Sequence, residues 1–255
     1  MIKAAFFDID GTLLSFKTHQ VSEGTKEAFA QLQARGIKTF ISSGRPKILI
    51  PEFPVHFDGY ITMNGGYVFT GDKVLYRNPI PKEESQRYLH FVQERNLTMM
   101  AFSEHEMFAN RYDPVAIALR NQLEFTMPPL ANIEDLMDGE YYQFIALMPK
   151  ELDAEVAELL PHCRLPRWHP AFSDLVSAGN SKAVGIERLL EHFGILREET
   201  IAFGDGGNDI EMLEYCGIGV AMGNADDDVK THADFVTTSV DEEGIQQALK
   251  KLNVI

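Results

Sequence analysis

Residues 2–12 read IKAAFFDIDGT, an apolar run that ends abruptly in two aspartates and a glycine. A short apolar run that stops at a turn is typical of a buried strand in a parallel sheet. In sheets of this kind, ligands bind outside the carboxyl ends of the strands. The stretch therefore predicts a central strand that places Asp8 and Asp10 at the ligand-binding edge.

Similar apolar runs recur along the chain and predict further parallel strands at residues 37–41, 200–203, 218–222 and 235–237. Helical patterns lie between them, with Ser22 and Ser181 as expected N-caps and Gly36 and Gly194 as expected stops. Strands that alternate with helices of this length indicate an α/β fold, a doubly wound, Rossmann-like parallel sheet.

The alternation is interrupted in the middle of the chain. Before the interruption, residues 59–69 and 73–79 flank a Gly71-Asp72 turn and predict a hairpin. Within it, the patterns predict helices at residues 81–96, 113–124 and 151–160 and strands at residues 98–103, 107–110 and 141–148. We therefore expect residues 1–81 and 180–255 to form the core domain and residues 82–179 to form an inserted α+β cap domain, with residues 171–179 returning to the core.

Composition excludes several classes of protein. The 255 residues carry 38 acidic and 23 basic side chains, a formal net charge of -15, so a polyanion such as nucleic acid is not an expected partner. No apolar run approaches the length of about 18 residues that a membrane helix needs. The two cysteines, Cys163 and Cys216, lack the spacing of a disulfide framework or a zinc site. We expect a cytoplasmic protein that is a monomer or a weak homo-oligomer.

Two other predicted strands also end in polar side chains. Ser43-Gly44-Arg45 follows the second strand and offers a hydroxyl, backbone N–H groups and a cation. Residues 204–209 read GDGGND and add Asp205, Asn208 and Asp209. Each segment alone is also compatible with an ordinary turn. Their convergence on one edge of the sheet favours a functional site.

Lys182 lies in the first turn of a predicted helix. A cation there opposes the helix dipole at a cost of about 0.3 to 1 kcal/mol, unless an anion compensates it. An exposed lysine would tolerate this cost, so the residue alone does not decide between structure and function. Together with the strand-end residues it indicates an anion-binding site.

The predicted edge holds a high density of negative charge. Asp8, Asp10, Asp205 and Asp209 would repel one another by about 1 to 4 kcal/mol for each close pair. A divalent cation would relieve this repulsion, and a set of hard oxygen donors favours Mg²⁺. With Lys182, Arg45 and Ser43 as an anion cradle, the arrangement indicates phosphoryl transfer.

These segments resemble the four motifs of the haloacid dehalogenase superfamily, specifically its Cof-type sugar-phosphate phosphatases with a class IIB cap. Residues 8–13 (DIDGTL) are similar to motif one, residues 43–45 (SGR) to motif two, Lys182 to motif three and residues 204–209 to motif four. The motifs occur in the family's order, with the cap inserted between motifs two and three. The resemblance covers nearly the whole chain.

The resemblance implies a role for each matched residue. Asp8 would attack phosphorus and form an aspartyl-phosphate, while Asp10 would act as general acid and then as general base. Mg²⁺ would be held by Asp8, the Asp10 carbonyl oxygen, Asp205 and Asp209, the last directly or through water. Phosphoryl oxygens and the substrate would be bound by Ser43, Gly44, Arg45 and Lys182, with Asn208 nearby.

Some positions leave alternatives open. Ser43 stands where the family often has threonine, which keeps the hydroxyl. Asn64-Gly65 resembles a segment that lines the family's active site, but Asn-Gly is also a common turn. Candidate cap contacts to a sugar are Arg111, Arg120, Arg167, Trp168 and His169. A packed Trp168 and a surface His169 are the simpler interpretations.

The expected activity is therefore hydrolysis of a small phosphate ester, most simply a hexose phosphate or another sugar phosphate. A phosphomutase of the phosphomannomutase type shares the core and cap type and is the main alternative. A non-catalytic sensor of a phosphorylated ligand is another, although a sensor has no need for both a nucleophile and an acid/base. Residues 217–223 do not match a dinucleotide fingerprint, and the chain has no P-loop.

Overall fold

The computed structural model describes residues 1–123, 126–167 and 170–255. The strands in this part of the chain are β1 (Ala4–Phe7), β2 (Lys38–Ser42), β3 (Gly59–Thr62), β4 (Tyr67–Thr70), β5 (Lys73–Arg77), β6 (Thr98–Phe102), β7 (Met107–Ala109), β8 (Gln143–Leu147), β9 (Cys163–Arg164), β10 (Ser173–Ser177), β11 (Thr200–Gly204), β12 (Ile218–Ala221) and β13 (Phe235–Val236). The α-helices are α1 (Glu23–Ala34), α2 (Lys82–Glu94), α3 (Pro114–Leu123), α4 (Ile133–Leu136), α5 (Asp153–Leu159), α6 (Lys182–Phe193), α7 (Ile210–Tyr215), α8 (Asp227–Thr231) and α9 (Gly244–Lys251).

The chain forms two compact units. The first, called here the core unit, comprises Met1–Gly44, Pro51–Arg77 and Ser181–Ile255. The second, called here the cap unit, comprises Arg45–Ile50 and Asn78–Asn180. Residues 45–50 thus group with the inserted segment, although the chain reaches them before the insertion begins. The division into core and cap domains at residues 82 and 179 stays a prediction.

The core unit is built on an eight-stranded sheet with the order β13-β12-β11-β1-β2-β3-β4-β5. The strands from β13 to β3 pair in parallel, and β4 and β5 extend the sheet in antiparallel pairing. In this register Phe7 lies beside both Phe203 and Ile41, so β1, β11 and β2 end level with one another. The predicted α/β fold with a parallel sheet is confirmed.

Helices cover both faces of the central strands. Successive side chains of β1 point to opposite faces of the sheet, so they pack against different helices. The Phe7 ring packs against Phe29 of α1, with ring centroids 4.8 Å apart. The Phe6 ring stacks on Phe40 at 4.9 Å and belongs to a buried cluster with side chains of α6 and α7. Burial on both faces explains why the central strands are almost wholly apolar.

The predicted hairpin differs from the observed structure in one respect. Residues 59–69 do not form one strand, since β3 ends at Thr62 and β4 begins at Tyr67. Met63 and Asn64 between them have φ values of 51° and 52°, in the left-handed region. A strand cannot continue through that backbone conformation, so the chain reverses and β4 pairs antiparallel with β3.

The cap unit has its own antiparallel sheet, with the order β7-β6-β8-β10-β9. The predicted elements in this region correspond to α2, α3, α5, β6, β7 and β8, and the expected end of α3 at residue 124 lies outside the described residues. Residues 171–179 were expected to return the chain from the cap to the core. They include β10, a strand that the sequence did not predict, which lies inside this sheet between β8 and β9. The hydrophobic core of the cap unit includes Tyr88, Phe144 and Leu175.

The two ends of the inserted segment meet within the cap unit. The Asn78 side-chain amide donates to Asn180 Oδ1 at 2.7 Å, and the Asn180 amide donates to the Asn78 carbonyl oxygen at 3.0 Å. Entry and exit points of the insertion are therefore joined by reciprocal hydrogen bonds.

Among the residues described, the helices are all too short or too polar to cross a bilayer.

Candidate active site

Three buried or half-buried carboxylates converge at the carboxyl edge of the core sheet. Asp8 follows β1, Asp205 follows β11 and Asp209 lies in the turn before α7. One carboxylate oxygen from each lies within 4.8 Å of the other two. The level ends of β1 and β11 account for the convergence of Asp8 with Asp205, which the sequence predicted.

This crowding changes the acidity of two of the groups. Burial, together with the nearby charges of Asp209 and Asp10, raises the pKa of Asp8 to about 7, although Lys182 opposes the shift. Burial and the charges of Asp8 and Asp209 likewise raise the pKa of Asp205 to about 8. The negative charge at this edge is therefore only partly compensated by the protein itself.

Lys182 is the cation that the protein places among these carboxylates. Its side chain is fully buried, and Nζ donates to Asp8 Oδ1 at 2.6 Å and to Asp209 Oδ1 at 2.5 Å. Burial lowers the pKa of Lys182, but the charges of Asp209 and Asp8 outweigh that effect and raise it. The ammonium group therefore remains charged, and it stands one residue after Ser181, whose Oγ accepts from the Val184 N–H at 3.2 Å to cap α6.

The donor set fits a divalent metal ion. When ionised, Asp8, Asp205 and Asp209 together carry more negative charge than Lys182 balances, and burial together with this crowding raises the pKa values of Asp8 and Asp205. Carboxylate oxygens at such distances are the ligands of Mg²⁺ and other hard cations. The acidic cluster can therefore hold a metal ion.

Asp209 also builds the turn in which it lies. Its Oδ2 accepts hydrogen bonds from the backbone N–H groups of Asp205, at 3.0 Å, and Gly206, at 2.8 Å. With Oδ1 bound to Lys182, both of its oxygens already have partners within the protein. Asp209 thus holds the turn and Lys182 in place, whether or not it also contacts a metal ion.

The segment after β2 meets two asparagines. The Ser43 N–H donates to the Ile61 carbonyl oxygen at 2.9 Å, and the Ser43 carbonyl oxygen accepts from the Asn64 N–H at 3.2 Å. Asn208 Nδ2 donates to Asn64 Oδ1 at 3.0 Å. A Cβ on Gly44 would lie 3.1 Å from Asn64 Oδ1 and 3.3 Å from Asn208 Nδ2. Asn64, a residue for which the sequence left two interpretations, is buried within the site.

Asp10 lies in the turn that follows Asp8. It is half-buried, and its charge contributes to the raised pKa of Asp8. Gly11 has a φ of 82°, and a Cβ on it would lie 2.1 Å from Asp205 Oδ2. Only glycine fits there, so the turn can bring the Asp10 backbone close to the carboxylates.

Asp205 is held by two residues, Thr12 and Asn224, that were not predicted from the sequence. Thr12 Oγ1 donates to Asp205 Oδ1 at 2.8 Å. Asn224 Nδ2 donates to Asp205 Oδ2 at 3.2 Å and to the Gly11 carbonyl oxygen at 2.9 Å. Asn224 follows β12 at the same edge of the sheet, and this position was the available signal. The DIDGT stretch contains Thr12, but nothing in it distinguishes this hydroxyl from that of a turn residue.

Arg45 belongs to the cap unit and donates from Nη1 to the Leu49 carbonyl oxygen at 3.0 Å. Two cap candidates make pairs within their own unit: Arg111 Nε donates to Thr98 Oγ1 at 2.7 Å, and Arg167 forms a bidentate pair with Asp153 at 2.6 and 2.8 Å. Contacts of these arginines with a substrate stay predictions. Arg120 is exposed, and Trp168 and His169 lie outside the described residues.

An α/β core with an inserted α+β unit, and with aspartates and a buried lysine at the carboxyl edge of its parallel sheet, defines a class of phosphoric monoester hydrolases. Residues 5–249 match the family model of the haloacid dehalogenase-like hydrolases. The chain belongs to this family, as one of its Cof-type phosphatases, and the resemblance inferred from the motifs is confirmed.

Individual relatives agree with this assignment. The chain is 35% identical to YkrA of Bacillus subtilis (strain 168), a proposed phosphatase, over 99% of this chain and 98% of YkrA. The solved structure of the subclass IIB sugar phosphatase BT4131 is similar with a TM-score of 0.93 and 40% identity, covering 99% of this chain and 100% of that one. The chain is also 28% identical to YitU of Bacillus subtilis (strain 168), a 5-amino-6-(5-phospho-D-ribitylamino)uracil phosphatase, over 96% of this chain and 95% of YitU.

Proposed function

We propose that this enzyme is a Mg²⁺-dependent phosphatase that hydrolyses a small sugar phosphate through an aspartyl-phosphate on Asp8. The observation that carries the proposal is the contact of Asp8 Oδ1 with the buried ammonium of Lys182 at 2.6 Å. A buried lysine that remains charged favours the ionised, nucleophilic form of a neighbouring carboxylate and opposes the rise in pKa that burial causes. It also places positive charge where phosphoryl oxygens would lie.

In the first step, an Asp8 carboxylate oxygen attacks phosphorus while the bond from phosphorus to the leaving-group oxygen breaks. Asp10, in its protonated form, gives its proton to that leaving oxygen. Lys182 and the Ser43 hydroxyl bind the transferring phosphoryl oxygens, and Asn208 and the Gly44 N–H lie beside them. Arg45 adds a cation to the substrate-binding set. The products of this step are the free alcohol and the phosphorylated Asp8.

In the second step, water attacks phosphorus and the bond from phosphorus to Asp8 breaks. Asp10, now ionised, takes the proton of that water. Inorganic phosphate leaves, and Asp8 returns to its starting state while Asp10 is protonated again. One carboxyl group serves both steps because its proton is restored in each cycle.

Asp8, the Asp10 carbonyl oxygen, Asp205 and Asp209 would hold the Mg²⁺ ion. When bound, it supplies positive charge that offsets the carboxylates and neutralises charge on the phosphoryl group. Thr12 and Asn224 support this set by fixing both oxygens of Asp205.

The substrate class is supported by the relatives. BT4131 is a sugar phosphatase and YitU acts on a phosphorylated ribityl compound, so both leaving groups are polyhydroxylated. We infer a hexose phosphate or a related sugar phosphate as substrate, with the ribitylamino-uracil phosphate as the second candidate. The free cysteines, Cys163 and Cys216, fit the reducing cytoplasm that we propose as the protein's location.

The decisive experiment is the substitution Asp8→Asn. We expect kcat for a sugar phosphate to fall at least about a thousandfold, because the amide cannot form the acyl phosphate, while the circular dichroism spectrum and Tm stay close to wild type. Asp72→Asn, at an exposed turn of the core unit, is the matched control and should retain full activity. Acid-quenched wild-type enzyme should carry a phosphoryl group on Asp8 by mass spectrometry. Phosphate release by Asp8→Asn at the wild-type rate would refute the mechanism.

The alternatives are separated by products. A phosphomutase would convert a hexose 1-phosphate into the 6-phosphate, whereas the proposed phosphatase releases inorganic phosphate. A sensor would bind phosphate esters with Mg²⁺ present and turn over none of them.

A further inference from the structure

The turn that follows the DIDGT stretch exposes a large aromatic side chain. Phe16 is 54% exposed, although the neighbouring Ser15 is buried. An exposed phenylalanine is not unusual by itself. The position of Phe16 within the core unit distinguishes it.

The Phe16 ring lies beside the carboxylate cluster. A Cβ on Gly11 would be 2.8 Å from Phe16 Cε2 and 2.1 Å from Asp205 Oδ2. The ring edge and the Asp205 carboxylate are therefore less than 5 Å apart, since both lie so close to one point. Gly11 directly follows Asp10, the residue that we propose protonates the leaving group.

The residues on either side of Phe16 are held by the same carboxylate. Ser15 Oγ donates to Asp241 Oδ1 at 2.5 Å, and Lys17 Nζ donates to Asp241 Oδ2 at 2.5 Å. The His19 N–H closes the turn on the Ser15 carbonyl oxygen at 2.9 Å. These contacts hold the segment that carries Phe16 beside the carboxylate cluster.

We propose that the Phe16 ring contacts the leaving group of the substrate and favours phosphate monoesters with a planar or apolar face next to the ester oxygen. This role of Phe16 rests on the proposed function, which assigns the reaction to the neighbouring carboxylates. An aromatic ring binds such a face by stacking and by exclusion of water, whether the face belongs to an arene or to the C–H side of a sugar ring. A leaving group of one carbon is too small to cover the ring.

The experiment compares phenyl phosphate with methyl phosphate in wild type, Phe16→Ala and Phe16→Tyr. We expect Phe16→Ala to lower kcat/KM for phenyl phosphate about tenfold, mainly through KM, and to change it less than about twofold for methyl phosphate. Phe16→Tyr keeps the ring and should restore the wild-type preference. Because each substrate is compared only with itself across the variants, its intrinsic reactivity cancels.

Binding provides a second readout that does not depend on turnover. Phenylphosphonate should bind wild type about tenfold more tightly than it binds Phe16→Ala, by calorimetry with Mg²⁺ present, while methylphosphonate should bind both equally. Leu196→Ala is the matched control. Leu196 is 59% exposed and precedes β11 at its amino end, so this substitution should affect neither ligand.

Equal losses for the phenyl and methyl compounds, or no loss for either, would overturn the role of Phe16. If the wild-type enzyme still hydrolyses these esters in that case, the proposed function is retained and only the role of Phe16 is rejected. If wild type hydrolyses no ester at all and releases no phosphate, the proposed function fails, and the role of Phe16 fails with it.

Discussion

At the residue scale, Lys182 shows how a charge that is unfavourable locally becomes part of a site. Burial of an ammonium group is costly, and the positive end of the α6 dipole adds to that cost. Hydrogen bonds to Asp8 and Asp209 satisfy the ammonium, and their charges raise its pKa. The lysine and the two aspartates therefore depend on one another for their geometry and for their charge.

Asn224 is predicted to act as a positioning residue for Asp205. In Asn224→Ala, Asp205 loses one of its hydrogen bonds and the Gly11 carbonyl oxygen loses its amide partner. We expect the Mg²⁺ concentration for half-maximal activity to rise about tenfold or more, with kcat partly restored at high Mg²⁺, because such supporting contacts typically contribute this much to metal affinity. The measurement is a Mg²⁺ titration of phosphate release.

The control for this prediction is Asn121→Ala, an exposed amide of the cap unit. It should leave the Mg²⁺ dependence unchanged. A loss of kcat in Asn224→Ala that no Mg²⁺ concentration relieves would contradict the positioning role.

The aspartates of the site could be predicted from sequence, whereas Asn224 offered only its position after β12 and Thr12 offered no distinguishing signal. Asp8 and Asp205 follow apolar runs that are typical of buried parallel strands, so their location at one edge follows from the parallel sheet. An asparagine in a turn has the same sequence signature whether or not it binds a carboxylate. Its role here depends on the spatial neighbourhood of β1, β11 and β12, which local sequence does not contain.

At the element scale, the turn between β3 and β4 packs directly against the start of α6. Gly65 in this turn has a φ of 91°, and a Cβ on it would lie 1.9 Å from the Ser181 carbonyl oxygen. Lys182 directly follows Ser181 in the chain. The close approach of backbone to backbone therefore fixes the start of α6, and with it the ammonium group.

Gly65→Ala is predicted to reduce both stability and activity. The added methyl group meets backbone that cannot move without shifting α6, so we expect a loss of about 3 kcal/mol or more in the free energy of unfolding and a large fall in kcat. Gly36→Ala is the matched control: its φ is 70°, but a Cβ would meet nothing within 4 Å. It should cost only about 1 to 2 kcal/mol and leave kcat unchanged.

Urea unfolding and phosphate release measure the two effects. Equal stability losses in Gly65→Ala and Gly36→Ala would show that the contact with Ser181 contributes nothing beyond backbone strain.

The elements that the sequence did not predict lack a local pattern that would identify them. β9 has two residues, too few for any periodicity, and β10 lies in a segment whose pairing partners are distant in the chain. The break between β3 and β4 depends on a left-handed Met63, which is a conformation that methionine does not signal. By contrast, β1, β2, β11 and β12 were predictable because burial leaves them continuous apolar runs, while β13 at the edge of the sheet is partly exposed and was predicted from the short run at residues 235–237.

At the scale of the whole molecule, the net charge of -15 and the carboxylate cluster both lower the stability of the metal-free fold. Asp8 and Asp205 have pKa values of about 7 and about 8 without a metal ion, raised from 3.8. In this state the folded protein keeps protons that the unfolded chain releases. These groups therefore destabilise the metal-free fold as the pH rises toward and through these values.

Mg²⁺ is predicted to stabilise the protein more at high pH than at low pH, because protons compete with the ion for Asp8 and Asp205. The increase in Tm on addition of Mg²⁺ should be small at about pH 6 and larger at about pH 9. At a hundredfold excess over Kd, the added stability should approach about 2.7 kcal/mol. Asp205→Asn should lose most of the increase. An increase in Tm that is independent of pH would argue that Mg²⁺ binds elsewhere.

The amide pair of Asn78 and Asn180 has a consequence for how this enzyme could diversify. Because the two asparagines tie the ends of the inserted segment together, the segment leaves the core unit and returns to it as a closed loop. Contacts within the segment itself offset the entropic cost of bringing its ends together. A shorter or longer insert whose ends are joined in the same way would connect to β5 and α6 similarly. Recombination could therefore replace the insert as a cassette while the carboxylate chemistry of the core is inherited unchanged.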